Sequence, residues 1–149
     1  KEIEVAAKQL VPPERRFQRL QKGGVLFIDD TYNAASPLAM CAALGSLPSP
    51  TKGGRRIAVL GEMLEMGGFA EEAHREVGEY ALGKIDILLC YGELCQKIVE
   101  VWETKSRKAE LFDSHHEIVE ALRKVLVPGD VVLIKGSRGC SLEKLLAEF

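Results

Sequence analysis

Val25-Leu26-Phe27-Ile28-Asp29-Asp30-Thr31-Tyr32-Asn33 opens as four large apolar residues without alternation and breaks at once into polar side chains. The first half is the pattern of a β-strand buried on both faces. In an open α/β sheet the polar residues that follow such a strand stand at its carboxyl end, where ligands bind. Asp29, Asp30 and Asn33 are suited to hold a ligand there. The same residues can also do no more than cap the next helix, since Asp and Asn side chains accept from free helix amides.

Upstream, Arg15 to Gln21 and Val25 to Ile28 flank Lys22-Gly23-Gly24, a spacing that predicts a hairpin whose glycines take positive φ at low cost. Glu2 to Leu10 has helical residues, and Pro12-Pro13 stops them. Downstream, Leu38, Met40, Cys41, Ala42, Ala43, Leu44 and Leu47 make an apolar helical stretch that ends before Pro48 and Pro50. Ile57-Ala58-Val59-Leu60 is a second buried strand, and Gly61 to Gly68 leads from it into a helix over about Ala70 to Leu82.

Ile85 to Tyr91 and Ala109 to Phe112 read as further strands, separated by a helix from about Leu94 to Trp102. Ser114-His115-His116-Glu117 has the S-x-x-E spacing of a capping box before Ile118, Leu122 and Val125. Pro128-Gly129-Asp130 turns the chain into the apolar strand Val131-Val132-Leu133-Ile134, and a last helix is expected from about Ser141 to Glu148. Apolar strands alternating with helices imply a Rossmann-like, doubly wound α/β domain. Its sheet is expected to be mainly parallel, of about six strands, with one antiparallel edge strand from the hairpin and helices on both faces.

A chain of 149 residues that is 46% hydrophobic supports one such domain. Its 20 basic and 22 acidic residues leave a net charge of -2, which gives no electrostatic case for nucleic acid or an anionic membrane surface. No apolar run approaches the roughly 20 residues that span a bilayer, and the amino terminus has no signal core, so a cytoplasmic protein is expected. Cys41, Cys90, Cys95 and Cys140 lack metal-knuckle spacing and read as buried reduced thiols, which suits that compartment.

Three strand ends carry polar or glycine-rich turns: Asp29 to Asn33, Gly61 to Gly68, and Lys135-Gly136-Ser137-Arg138-Gly139. The topology is expected to gather them on one sheet edge. In the last turn two cations and a hydroxyl stand between a strand and a helix start, which favours a carboxylate or phosphate. The plainer alternative is that Lys135 and Arg138 pair with surface acids while the glycines make the turn. Neither a Gly-x-x-x-x-Gly-Lys-Ser/Thr loop nor Gly-x-Gly-x-x-Gly is present. His74 reads as a packed or surface histidine, and His115 and His116, adjacent on a helix, make a poor chelate. Met63 and Met66 fit packing, and of Tyr32 and Trp102 only Tyr32 has neighbours that favour stacking on a base.

Asp29-Asp30-Thr31-Tyr32-Asn33-Ala34 resembles a signature of the Mur ligases. Further matches follow in order: Arg55 to Gly67, then His74 with Val77-Gly78, then Val132 to Gly139. Together they cover nearly the whole chain and resemble the family's carboxyl-terminal domain. The Tyr32-Asn33 and Lys135-Gly136-Ser137-Arg138 forms are most similar to the branch that adds D-alanyl-D-alanine to UDP-N-acetylmuramoyl-tripeptide in peptidoglycan synthesis. The family run Asn-Ala-Asn-Pro reads Asn33-Ala34-Ala35-Ser36-Pro37 here, with the second Asn lost.

The resemblance implies an ATP-dependent, amide-forming ligase in which a central domain carries the P-loop and magnesium ligands and the last domain closes over ATP. The acceptor carboxylate is phosphorylated, and the dipeptide amine attacks the acyl phosphate. By resemblance Arg16, with Arg15 as the alternative, reaches the nucleotide phosphates, and Asp30 and Asn33 contact the ribose and base, beside which Tyr32 would stack. Lys135, Ser137 and Arg138 meet the D-alanyl-D-alanine. No catalytic residue and no metal ligand is expected in this chain. Residues 1–14 would be the lead-in from the central ATPase domain and 15–149 the carboxyl-terminal domain, inactive alone. The alternatives are a free-standing nucleotide- or carboxylate-binding module, and a related Mur ligase with another amino acid substrate.

Overall fold

The computed structural model describes residues 14–32 and 36–149. The expected helix of Glu2 to Leu10, and Asn33, lie outside the described residues. The hairpin forms as β1 (Gln18–Lys22) and β2 (Val25–Asp29), antiparallel, with Lys22 opposite Val25. Its two-residue turn puts Gly23 at φ 58° and Gly24 at φ 79°, the left-handed pair that matches the strands' twist.

Then follow α1 (Pro37–Gly45), β3 (Arg56–Gly61), α2 (Ala70–Ala81), β4 (Ile87–Tyr91), α3 (Gln96–Thr104), β5 (Ala109–Phe112), α4 (His115–Val125) and β6 (Val131–Lys135). The six strands form one sheet in the order β1-β2-β6-β3-β4-β5, and every pair but β1·β2 is parallel. This is the expected doubly wound architecture with one antiparallel edge strand.

Burial explains the strand patterns. The central strand β6 is buried at all five positions, whereas the edge strand β1 alternates between half-buried and exposed. Ile28, Ala58, Leu60, Leu88 and Leu133 pack on one face against α1, α2 and α3 through Met40, Leu44, Val77, Ile98 and Trp102. Phe27, Ile57, Val59, Val132 and Ile134 pack on the other against α4 and the carboxyl-terminal segment through Ile118, Leu122, Leu142 and Leu145. Each such buried side chain contributes roughly 1.5–3 kcal/mol relative to exposure.

Two local expectations are corrected. Ser114 stands at the start of α4, but its hydroxyl caps no amide, so the capping box does not form. The side-chain cap belongs instead to Ser36, whose Oγ accepts from Ala39 N at 3.1 Å ahead of Pro37 in the first turn of α1. The last helix winds as a 3-10 segment over Leu142–Glu148, started by Ser141 at φ 51°. Three residues per turn put Leu142 and Leu145 on one buried side, and Lys144 N bonds back to Ser141 O.

Candidate functional site: the rim at the carboxyl ends of the central strands

Strand order places β6 between β2 and β3, so the three turns singled out in the sequence become spatial neighbours. The chain leaves β2 and β3 toward the face of α1 and α2, and leaves β6 toward the opposite face. The connections therefore diverge on both sides of β6, which opens the crevice where doubly wound sheets bind ligands.

At the centre of this rim Lys135, only 1% exposed, reaches across from β6 to β2. Its ammonium lies 2.8 Å from Asp30 Oδ2 and donates to the Asp30 carbonyl at 3.3 Å. The other carboxylate oxygen of Asp30 accepts Phe17 N–H at 3.0 Å, and Asp30 N–H reaches Ile134 O. Both ions are thus paired within the domain, as the buried Lys135 ammonium requires. Next to them Asp29 is buried, and its Oδ1 accepts both the hydroxyl and the amide of Thr31, at 2.7 and 3.2 Å. Burial pushes the Asp29 carboxyl up, and the Thr31 bonds offset that only in part.

The segment ahead of β1 folds back onto this centre. Arg15 and Phe17 are both left-handed, at φ 60° and 52°, a conformation that costs a non-glycine residue of order 1–3 kcal/mol. Arg16 stands between them. Phe17 N is held by Asp30, and Arg15 O accepts Tyr32 N–H at 3.0 Å. The Arg16 guanidinium then lies over the Tyr32 ring, 4.2 Å from its centroid, and the Arg138 guanidinium lies 5.3 Å from the same centroid. Tyr32 is 39% exposed and Arg16 and Arg138 are exposed, so the cluster presents two cations and an aromatic face to solvent.

The turn after β6 is fastened to the turn after β3. Ser137 Oγ accepts Leu64 N–H at 2.8 Å, and Ser137 N–H donates to Glu62 O at 2.9 Å. Gly136 packs so close that a Cβ there would lie 2.7 Å from Gly61 Cα, leaving no room for another residue. The Glu62 carboxylate in turn accepts Leu94 N–H at 3.1 Å, which brings in the turn after β4. His74 is fully buried on α2; its Nε2 accepts Met63 N–H at 3.0 Å, so Nδ1 donates to Ala70 O. It is a packed histidine that braces the β3 turn.

Of the residues singled out in the sequence, Arg16, Asp30, Tyr32, Lys135, Ser137 and Arg138 come together here. They divide by exposure: Arg16, Tyr32 and Arg138 face outward, while Asp30, Lys135 and Ser137 bind other parts of the rim. Sequence reasoning assigned no role to Glu62 or Leu64, because the bonds that recruit them join segments far apart in the chain. The left-handed Arg15 and Phe17 carry no signal in their residue types.

Cys90, Cys95 and Cys140 are buried and unbridged as expected, whereas Cys41, also unbridged, is only partly buried at the surface of α1; burial pushes the Cys140 thiol up to about 11. Among the described residues no helix is long and apolar enough to cross a membrane, and no three His, Cys, Asp or Glu side chains stand where they could hold a metal ion.

A mainly parallel sheet covered on both faces, with its connections diverging at the carboxyl ends of the central strands, defines a Rossmann-like α/β domain. More narrowly, the chain belongs to the Mur ligase family: residues 15–138 match the family model described as Mur ligase, glutamate ligase domain. It is 33% identical over 128 residues to the UDP-N-acetylmuramoyl-tripeptide--D-alanyl-D-alanine ligase of Bacillus subtilis, covering 84% of this chain and 28% of that protein. The same ligase of Escherichia coli is 31% identical, covering 90% of this chain and 29% of that one. Among solved structures, the MurF ligase of Thermotoga maritima in complex with ADP superimposes with a TM-score of 0.77 at 35% identity, covering 95% of this chain and 31% of that one. The chain thus spans about three tenths of the length of these relatives.

Proposed function

We propose that this chain is the carboxyl-terminal domain of an ATP-dependent ligase that joins D-alanyl-D-alanine to UDP-N-acetylmuramoyl-tripeptide in peptidoglycan synthesis. In this reading residues 1–14 lead in from a central ATPase domain, which supplies the P-loop and the magnesium ligands, and 15–149 form the domain described above. The ligase works in the cytoplasm, among nucleotides and reduced thiols. The relatives named as this ligase, and the ADP complex of one of them, support the assignment.

The observation that carries the site is Tyr32 lying against both Arg16 and Arg138. One arginine comes from the segment assigned to the nucleotide and the other from the loop assigned to the dipeptide, so the two substrates meet at one cluster. Arg16 takes the ATP phosphates, and Tyr32 and Asn33 take the base and ribose. Arg138 takes the dipeptide's terminal carboxylate, which a guanidinium can grip with two parallel hydrogen bonds. Asp30 joins Tyr32 and Asn33 at the ribose and base, and Lys135 and Ser137 stand with Arg138 beside the dipeptide. Chemistry on the acyl phosphate gains from cations fixed in advance where charge develops.

Titrating the full-length ligase and its Arg138→Ala variant with D-alanyl-D-alanine tests the assignment. Loss of a charged hydrogen-bond pair should weaken dipeptide affinity roughly tenfold to a hundredfold. Unchanged affinity overturns the role given to the last loop.

A further inference from the structure

The turn after β3 carries an acid in a conformation that its residue type does not favour. Glu65 is left-handed at φ 65°, where glycine is the usual residue, and its side chain is exposed. Among the described residues its carboxylate forms no ion pair. Its position is set by the residue before it. Leu64 N–H donates to Ser137 Oγ at 2.8 Å, and a Cβ on Gly139 would lie 2.8 Å from Leu64 Cδ1. Ser137 and Gly139 stand on either side of Arg138, so one residue of the β3 turn meets both flanks of that arginine. Glu65 and Arg138 thus follow two adjacent strands, β3 and β6, as an exposed anion and an exposed cation on turns that are fastened together.

We infer that Glu65 receives the amino group of the incoming dipeptide while Arg138 holds its carboxylate, so that the turn after β3 is the second half of the dipeptide subsite. The inference rests on the reading above that Arg138 takes the dipeptide. A free dipeptide is positive at one end and negative at the other, and a subsite built from cations alone would repel the amino end. Neighbouring strands lie about 4.8 Å apart and an extended dipeptide spans about 7 Å, so its two ends can reach groups on adjacent turns. The other carboxylates of the rim are engaged or lie elsewhere. Asp29 is buried on Thr31, Asp30 is paired with Lys135, and Glu62 accepts Leu94 N–H. Glu143 stands near enough to Asp29 to raise its carboxyl, and Glu93 follows β4, one strand farther from Arg138. Between the two charged ends Leu64, 38% exposed, offers apolar surface to the dipeptide's methyl groups. Backbone strain at a residue that braces nothing is the kind that persists where function requires the side chain.

The test is steady-state kinetics of the full-length ligase carrying Glu65→Gln or Glu65→Gly, with KM measured separately for D-alanyl-D-alanine and for ATP. Alongside, the inhibition constant is measured for N-acetyl-D-alanyl-D-alanine, which keeps the carboxylate and has no charge at the other end. Both variants should raise the dipeptide KM roughly tenfold to a hundredfold, as loss of a charged hydrogen bond does. The KM for ATP and the inhibition constant of the acetylated compound should stay as they are. Glu65→Gly also releases the left-handed strain, so the thermal midpoint of that variant should not fall. An unchanged dipeptide KM overturns the inference. So does an equal loss of affinity for the acetylated compound, or a midpoint that falls together with the rise in KM, since either makes Glu65 a brace of the turn. Arg138→Ala separates this failure from that of the underlying reading: it should weaken both compounds, and if it weakens neither, Arg138 does not hold the dipeptide and the reading itself fails.

Discussion

Asp130 gathers four hydrogen bonds on one buried carboxylate: Oδ1 accepts from Arg55 N at 2.8 Å and Arg55 Nε at 3.3 Å, and Oδ2 from an Arg55 terminal nitrogen at 3.0 Å and Val127 N at 2.9 Å. Burial raises its carboxyl, and the Arg55 guanidinium with the two amides more than reverses this, so it titrates below the usual carboxylate range. A carboxyl lowered on folding stabilises the protein above its unfolded value, near 3.9, and loses that contribution as pH falls through the folded value. Asp130→Ala should therefore cost about 2 kcal/mol at pH 7, toward the lower end for a broken pair because the Arg55 side chain is 35% exposed. It should also flatten the loss of stability below pH 4. Urea unfolding of both proteins across pH 2.5 to 7 checks this, and parallel curves would refute it. In the sequence Pro128-Gly129-Asp130 reads only as a turn, since the arginine that makes Asp130 structural lies 75 positions away. Asp30 and Lys135 were legible as polar residues at strand ends, and their pairing was not, because it needs β6 inserted beside β2.

Among the elements, those fixed by hydrophobic pattern were readable to within a few residues. β2, β3, β4 and β6 announce themselves as unbroken apolar runs, and α2 starts where expected, at Ala70. What failed depends on details the pattern does not encode: the Ser114 hydroxyl, which caps nothing, and the carboxyl-terminal segment, wound at three residues per turn because left-handed Ser141 begins it. The crossing of α2 and α3 shows how closely the readable elements are fitted. A Cβ on Gly78 would stand 3.2 Å from Ile98 Cα, and Gly78 O accepts the Trp102 indole N–H at 3.0 Å in the same contact. Gly78→Val would force the helices apart and strain that bond. Overpacking of this kind costs about 1–3 kcal/mol, more than the gain in helix propensity can return. Thermal unfolding should show a Tm lower by several degrees. An unchanged Tm would mean that the α2–α3 contact yields freely.

At the scale of the whole molecule, stability and activity are expected to separate. Every central strand has both neighbours within the chain, and each face of the sheet has its own apolar core, so folding needs no surface supplied by another domain. The rim has a different character, with Arg16, Tyr32 and Arg138 directed outward and no glycine-rich phosphate loop anywhere in the sequence. Phosphoryl transfer draws most of its acceleration from a cation-lined cradle and magnesium held against the β- and γ-phosphates. Two arginines at an open edge can orient a substrate but cannot replace that cradle. The 149-residue chain on its own should therefore unfold in a single cooperative step, with fluorescence of Trp102 and far-UV circular dichroism giving the same midpoint. With ATP, magnesium, acceptor and dipeptide present it should release no ADP above the enzyme-free rate. Adding the separately expressed upstream domains should restore turnover only in so far as the two pieces associate, with a rate that rises with their concentration. ADP release by the chain alone would show that its rim carries phosphoryl-transfer machinery of its own, and would reverse the division of labour proposed for the full-length ligase.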